Sequence, residues 1–580
     1  MRKIVFDIEA NGLDPTKIWC VVMYDIDSRN THVCYEKQYF WDWLVTDQME
    51  RDVEPVEFIG HNILGYDIPV LEKLWDISFA GHKLTDTLVM SRLAEPSRQG
   101  GHSLESWGDR LGCPKGEHSD WLNFSQDMVE YCKQDVRVNE LVYKRLLRDL
   151  DGFRADSLVL EGQVQRIISK QIENGWVLDQ ESAFVLLAEL KEKKYDLEDK
   201  VHETFKPLPT FVKQITPKFK KDGTKSIVGL KFLGDEWQTV QAAFSRIDFP
   251  EFNLGSRQQI GRYLQYFGWK PETFTETGQP IVDESVLRKV KGIPEAELIG
   301  EYLMVQKRIA QIQSWLDAVK DDGRVHGYVN ANGAVTGRMT HSSPNMGQVP
   351  AVYSPYGKEC RAVWTVPTGY SLVGMDASGL ELRMLAHYMN DEGYTHEILN
   401  GDIHTANQLA AGLPTRDQAK TFIYAFLYGA GDAKIGSIVG GSSADGRRLK
   451  AKFLSNTPAL GKLRGRVSTA SGRGYLLGLD GRRVAVRSEH AALNSLLQSA
   501  GAIVMKQALV LLDQYATLHN IDYKIIGNIH DEIQTEVATK DAERFGRLAT
   551  ACIEAAGIHY NLNCPLAGEY KVGANWAETH

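Results

Sequence analysis

"IIGNIHDEIQTEV", residues 525–537, sets a histidine and two acids between two apolar, strand-like runs. Such runs either side of a short polar break read as a β-hairpin with Asp531 and Glu532 at its tip. By themselves, adjacent acids at a turn are ordinary surface chemistry. They gain meaning from a third acid able to face them. "YSLVGMDASGLELRMLAHY", residues 370–388, supplies it: a strand ending at Asp376, then a helix carrying Glu381 and Arg383. Three acids meeting at strand ends make a site for divalent cations, which take hard oxygen ligands.

A second set of acids stands near the start. In "KIVFDIEANGL", Asp7 and Glu9 are two apart on a predicted strand and project from one face. Their mutual repulsion is costly unless a cation lies between them. "GHNILGYDIPVL" adds Asp67 at a predicted helix start, and "YCKQDV" adds Tyr131 and Asp135, which i,i+4 spacing puts on one helix face. Oxygen ligands drawn from several segments suit Mg²⁺ or Mn²⁺. A pair of such ions clamps the attacking and leaving oxygens of a phosphodiester, with Tyr131 placed to orient water.

Between the two halves of the first site lies "LPTRDQAKTFIYAFLYGAG", residues 413–431. Arg416, Lys420, Tyr424 and Tyr428 recur every fourth residue and share one broad helix face. Thr415 with Gln418 fits a capping box that starts the helix at Arg416, and Gly429 suits its end. A guanidinium, an ammonium and two aromatic rings in line match a nucleotide: cations for phosphates, rings for base and sugar.

Composition sets the limits. A chain of 580 residues is expected to form about three to five domains, and its 43% apolar and 24% charged content is that of a globular protein. Asp7 and Glu9 interrupt any signal-peptide core at the start, and no uninterrupted apolar run approaches the ~18 residues of a membrane span. The seven cysteines are scattered with no C-x-x-C pair, which argues against structural zinc and for a reducing, cytoplasmic compartment. The net charge of −9 is unevenly spread: residues 445–490 hold eleven Lys or Arg against three acids, and 213–231 hold six Lys against one Asp. Local positive surface of that kind attracts phosphates even on an acidic chain. Strand-like and helical runs alternate through 1–150, long helical patterns fill 155–205 and 285–320, and an insertion at 206–251 carries few helix signals.

The ordered set D-x-E, N-x-x-x-Y-D and Y-x-x-x-D resembles the proofreading 3′–5′ exonucleases of the ribonuclease H-like fold. The segments around Asp376, Arg416–Tyr428 and Asp531 resemble motifs A, B and C of the family A DNA polymerases, the DNA polymerase I type. "DASGLELR", "GLDGR", "LLQSAGA" and "HDEIQ" look like the replicative enzymes of short-tailed phages within that family, and the likeness runs from Asp7 to "NWA" near the C-terminus.

The resemblance implies a multidomain α/β and α+β chain, a ribonuclease H-like exonuclease followed by a right-hand polymerase. Residues 1–150 would be the exonuclease and 151–330 a helical thumb with the basic insertion at 206–251. Residues 331–385 and 491–580 would be the palm and 386–490 the fingers. It makes Asp376, Asp531 and the Ala377 carbonyl metal ligands, with Glu532 supporting them, and Asp7, Glu9, Asp67 and Asp135 ligands of the exonuclease. Two Mg²⁺ would serve each site, with Mn²⁺ as a substitute. Arg416, Lys420 and His404 would meet the triphosphate and Tyr424 the sugar, a tyrosine there going with ready acceptance of dideoxynucleotides. Glu381 would crowd a ribose 2′-hydroxyl, which separates this reading from a single-subunit RNA polymerase. An intact polymerase site separates it from a nuclease with a mere DNA-binding platform. Arg338, Asn345, Gln348, Arg361, Gln498 and His530 would contact primer-template DNA in the minor groove, checking pair shape more than sequence. Deoxynucleoside triphosphates, host thioredoxin or another processivity factor, and a phage helicase-primase are the implied partners, with no membrane. The implied location is the cytoplasm of an infected bacterium. The insertion looks shorter than that of the best-known phage member, and with Asp7 so near the start a preceding 5′-nuclease is not expected.

Overall fold

Strand β1, Arg2–Ala10, is buried along most of its length, as the middle strand of a sheet covered on both faces has to be. In the structure, a computed structural model that describes residues 1–43 and 55–580, it pairs antiparallel with β2 (Ile18–Asp25) and parallel with β4 (Val56–Gly60). Adding β3 (Thr31–Cys34) and β5 (Lys83–Asp86) gives the order β3-β2-β1-β4-β5, the mixed sheet expected of a ribonuclease H-like domain. Those two edge strands are only four residues each and largely polar, so the hydrophobic pattern does not announce them. Helix α1 (Asp67–Trp75) packs Ile68 and Leu71 on the face carrying Ile4, Phe6 and Phe58. Helix α2 (Gln126–Asp149) covers the other face with Val129, Cys132 and Val136.

The long helical stretch expected over 155–205 is broken. Helix α3 (Ala155–Asn174) ends at Gly175, whose φ of 61° is a conformation only glycine adopts cheaply. A three-residue strand, Trp176–Leu178, and then α4 (Gln180–Thr204) follow. The stretch 285–320 is likewise interrupted at Gly292 and Pro294, before α5 (Glu295–Asp317).

The chain divides into two units, one of Met1–Leu178 with Ala318–His580 and the other of Asp179–Asp317. The second unit is therefore narrower than the 151–330 read from sequence, and α3 belongs to the first. Within the second unit α4 and α5 are tied by Lys193–Glu301 at 2.6 Å and by the Tyr302 hydroxyl, which donates to Glu198 at 2.9 Å. The insertion forms an antiparallel pair, Thr210–Ile215 with Phe244–Asp248. Lys213, Lys218, Lys220 and Lys221 stand exposed on it or in the loop between.

The remainder of the first unit is built on four antiparallel strands. In chain order come β6 (Tyr370–Ala377), helices α6 (Leu380–Met389), α7 (Arg416–Leu427) and α8 (Glu489–Leu518), and β7 (Tyr523–Ile529). Strand β8 (Glu532–Ala538), helix α9 (Ala542–His559) and β9 (Gly568–Gly573) complete it. The sheet order β7-β8-β6-β9 puts the hairpin beside the Asp376 strand, as a palm requires. Helix α8 is apolar and long enough to cross a membrane by composition, yet 72% of that stretch is buried in this core.

One polar cluster lies inside that core. Glu161 of α3 accepts from Lys506 of α8 at 2.6 Å and pairs with Arg482 at 2.6 Å, and Arg482 also grips Asp480 at 2.6 Å. All four are no more than 3% exposed. Buried charges survive only when each keeps its partner. Lys506→Met, which takes one of two cations from Glu161, is expected to lower stability by about 3–5 kcal/mol, read from the denaturant midpoint.

Candidate active sites

The first site is a cavity of about 460 Å³ lined by Asp7 and Glu9 from β1, Asp67 from α1, and Tyr131 and Asp135 from α2. All five residues singled out in the sequence's first 150 positions meet there. Asp67 begins its helix, as expected, and its Oδ1 accepts the Ile8 amide at 3.2 Å, which ties α1 to the middle of β1. The donor atoms of Asp7, Glu9 and Cys132 lie within 4.8 Å of one another. Burial first, then the neighbouring acids, pushes the carboxyls up: Asp7 well above its usual range, Glu9 to about 9 and Asp67 to about 7. Four acids crowded in this way are short of positive charge. The Oδ1 of Asp135 is buried with no hydrogen-bond partner. The carboxylate donors, mutually repelling with one oxygen orphaned, fit hard divalent cations such as Mg²⁺.

Two residues here escaped the sequence reading. The Cys132 thiol donates to Asp7 Oδ2 at 3.5 Å from beneath β1. Lys115, from the irregular segment before α2, sets its ammonium 2.7 Å from Asp135 Oδ2 and 4.9 Å from the Tyr131 ring centroid. Burial works against that charge, but Asp135 and Tyr131 hold it above its ordinary value. A single lysine in a loop offers no periodicity by which to find it.

The second site stands at the end of the four-stranded sheet. Ile529 pairs with Glu532, so His530 and Asp531 form a two-residue hairpin tip, with His530 at φ 60°. In the neighbouring ladder Asp376 lies opposite Glu532. Register thus delivers three acids to one sheet end, as the opening stretch suggests. Burial, then Asp531 and Glu532, pushes the Asp376 carboxyl up to about 7. A carboxyl raised by the acids beside it marks a place short of positive charge, and its oxygens fit a hard cation. Ala377 closes β6, opposite Gly568 of β9.

Glu532 differs from its neighbours. It accepts from Trp576 Nε1 at 2.6 Å and from Gln534, lies 3.0 Å from His580 Nδ1 and 3.6 Å from Arg361. Despite burial, these partners hold its carboxyl below the usual range. Arg361, expected on DNA, is 5% exposed: it donates to the Pro350 carbonyl at 3.0 Å and stacks over Trp576. Its guanidinium braces Glu532 from inside the fold, because the helix carrying it turns that face inward.

Helix α7 starts at Arg416 with the Thr415 hydroxyl accepting from the Gln418 amide at 3.2 Å. The Gln418 side chain donates instead to the Ile438 carbonyl at 3.3 Å, so only half of the expected capping box forms. Gly429, at φ 74°, follows the helix end. Ala419, Phe422, Ile423 and Phe426 are buried, which leaves Arg416, Lys420 and Tyr428 exposed and Tyr424 half-buried. Arg416 is engaged by Asp402, at 2.6 Å and 3.2 Å. The His404 ring sits 6.4 Å from Tyr424 and its Nδ1 is buried with no hydrogen-bond partner. Burial, then Glu381 and Asp531, raises the Tyr424 hydroxyl above its ordinary value. The Tyr428 hydroxyl donates to both Glu381 oxygens at 2.9 Å and 3.0 Å, and Arg338 lies 3.5 Å from the same carboxylate. Asn345 and Gln348 flank and end one 3₁₀ turn, Gln498 is half-buried on α8, and His530 is exposed.

Residues 231–578 match DNA polymerase family A. The chain is 38% identical to the DNA-directed DNA polymerase of Escherichia phage T7, over the full length of both, and likewise 38% identical to that of Enterobacteria phage T3. It is 29% identical to the thermostable DNA polymerase I of Thermus aquaticus, across 59% of this chain and 44% of that one. In fold it resembles the polymerase domain of Pol1 from M. smegmatis, solved with DNA primer-template and dNTP, at a TM-score of 0.78 and 19% identity, over 100% of this chain and 96% of that one.

Proposed function

This chain belongs to the family A DNA polymerases, with those of T7-like phages, and from that premise we propose that it extends primers at Asp376 and Asp531 and trims mispaired ends at the Asp7 cavity. The observation that carries the reading is the register that lines up Asp376, Glu532 and Asp531 at one end of the sheet, together with a helix α7 that leaves Arg416 and Lys420 exposed. Mg²⁺ bound there would supply Lewis acidity for a primer 3′-hydroxyl and a clamp for the triphosphate. Asp376 and Asp531 would hold it, with the Ala377 carbonyl, while Glu532 keeps the hairpin in register through its own partners. Lys420 and Arg416 would neutralise charge growing on the pyrophosphate, Arg416 exchanging Asp402 for phosphate. His404 would donate to the same group, and Tyr424 would pack on the sugar. Arg338, Asn345, Gln348, Gln498 and His530 are the residues proposed to line the primer-template. In the cavity, Asp7, Glu9, Asp67 and Asp135 would hold the same kind of ion and Tyr131 would orient water. The setting is phage DNA replication in the cytoplasm of an infected bacterium.

Glu381 tests the choice of sugar. Held by Tyr428 and Arg338, its carboxylate has little freedom to step aside for a 2′-hydroxyl. Glu381→Ala is expected to raise ribonucleotide over deoxynucleotide incorporation about tenfold to a hundredfold, in single-nucleotide extension with each triphosphate. Equal use of both sugars by the unaltered protein would overturn the assignment.

A further inference from the structure

We propose that Lys115 is the metal-independent phosphate anchor of the N-terminal cavity: it meets the last backbone phosphate of a DNA 3′ end that enters there. The inference rests on the exonuclease reading and adds a residue to it. A phosphodiester approaching Asp7, Glu9, Asp67 and Asp135 meets four carboxyls, and among the described residues the one ammonium lining the cavity is that of Lys115. It projects 2.7 Å from Asp135 Oδ2, over the Tyr131 ring, and so stands beside the group proposed to orient water.

The lysine is presented rather than merely present. Gln134 donates to the Pro114 carbonyl at 2.7 Å, which pins the segment to α2 without using the lysine side chain. A Cβ on Gly116 would come within 3.3 Å of the Tyr131 ring, so the backbone lies close against α2 on the other side of Lys115 as well. Trp121, farther along, packs on Tyr131 at 5.5 Å between centroids, and its carbonyl accepts from Trp19 at 3.0 Å. An ammonium held from both sides is a compact charge for a phosphate oxygen.

In the hydrolysis, water adds to the terminal phosphorus and the P–O3′ bond breaks, its electron pair leaving on O3′. One water proton ends on that alcohol, and the other is shared between the released 5′-monophosphate and solvent. Lys115 loses no proton. It stands as a fixed charge against the phosphoryl oxygens, opposing the charge that builds on them.

The test uses the full chain with Lys115→Gln and Lys115→Arg. In EDTA, wild type should bind a single-stranded oligonucleotide more tightly than one whose last linkage is an uncharged methylphosphonate, and Lys115→Gln should bind the two alike. With magnesium, Lys115→Gln should slow terminal-nucleotide release about a hundredfold at unchanged extension rate, and Lys115→Arg should recover most of it. A lysine that only braced Asp135 would leave the methylphosphonate difference intact in Lys115→Gln, and that result overturns the proposal. So does release at the wild-type rate. If the unaltered protein releases no terminal nucleotide, the exonuclease reading itself fails, which separates the two.

Discussion

Asp531→Asn is expected to cut primer extension about a thousandfold or more while terminal-nucleotide release stays within about twofold of wild type. The substitution keeps the size and hairpin geometry of the tip, where Ile529 and Glu532 already close the ladder. What it removes is one of two negative charges facing each other at the sheet end. Asn presents one neutral oxygen, and a hard cation loses several kcal/mol of attraction, each 1.4 kcal/mol being tenfold in rate. The Asp376 carboxyl, relieved of a neighbour that raises it, should also drop from about 7 toward its ordinary value. The measurement is single-turnover extension of a labelled primer beside release from a single-stranded end. Loss of both activities would point to misfolding or to a misassigned site.

Asp7→Ala is expected to do the converse: terminal-nucleotide release falls about a thousandfold and extension is kept. Asp7 faces Glu9, Asp67 and Asp135 across the cavity, and each raises its proton affinity. Removing it relieves repulsion in the metal-free protein, so the variant should be at least as stable as wild type while binding divalent cations less well. A melting temperature that rises or holds, together with lost hydrolysis, is the expected signature. A variant that still trims mismatched ends would sink the assignment.

Much of both sites could be read from local spacing. Asp7 and Glu9 obey the two-residue period of a strand, Tyr131 and Asp135 the four-residue step of a helix, and Arg416 to Tyr428 the same step repeated. Each pattern is a statement about one element, and sequence carries such statements well. What escaped depends on elements that meet. Trp576 and His580 reach Glu532 across more than forty positions, and nothing in "HDEIQ" says that its second acid is saturated from within. The resemblance offered Arg361 as a DNA contact, and its burial against Trp576, more than two hundred positions away, is not written in "ECRAVW". Lys115 sits in an irregular segment with no period at all. The break at Gly175 was hidden because the apolar pattern resumes in phase soon after it.

Helix α3 leaves a practical mark. Asn174 reaches the Ile525 carbonyl at 2.9 Å, Asn528 bonds Gln171, and Glu161 sits in the buried ion cluster. The segment that follows the N-terminal sheet in sequence is therefore a structural member of the half that carries Asp376 and Asp531. Anyone dissecting the gene into separately expressed pieces should cut ahead of Ala155. A fragment begun at Asp179, where the second unit starts, would leave Lys506 and Arg482 in an apolar interior without their shared carboxylate.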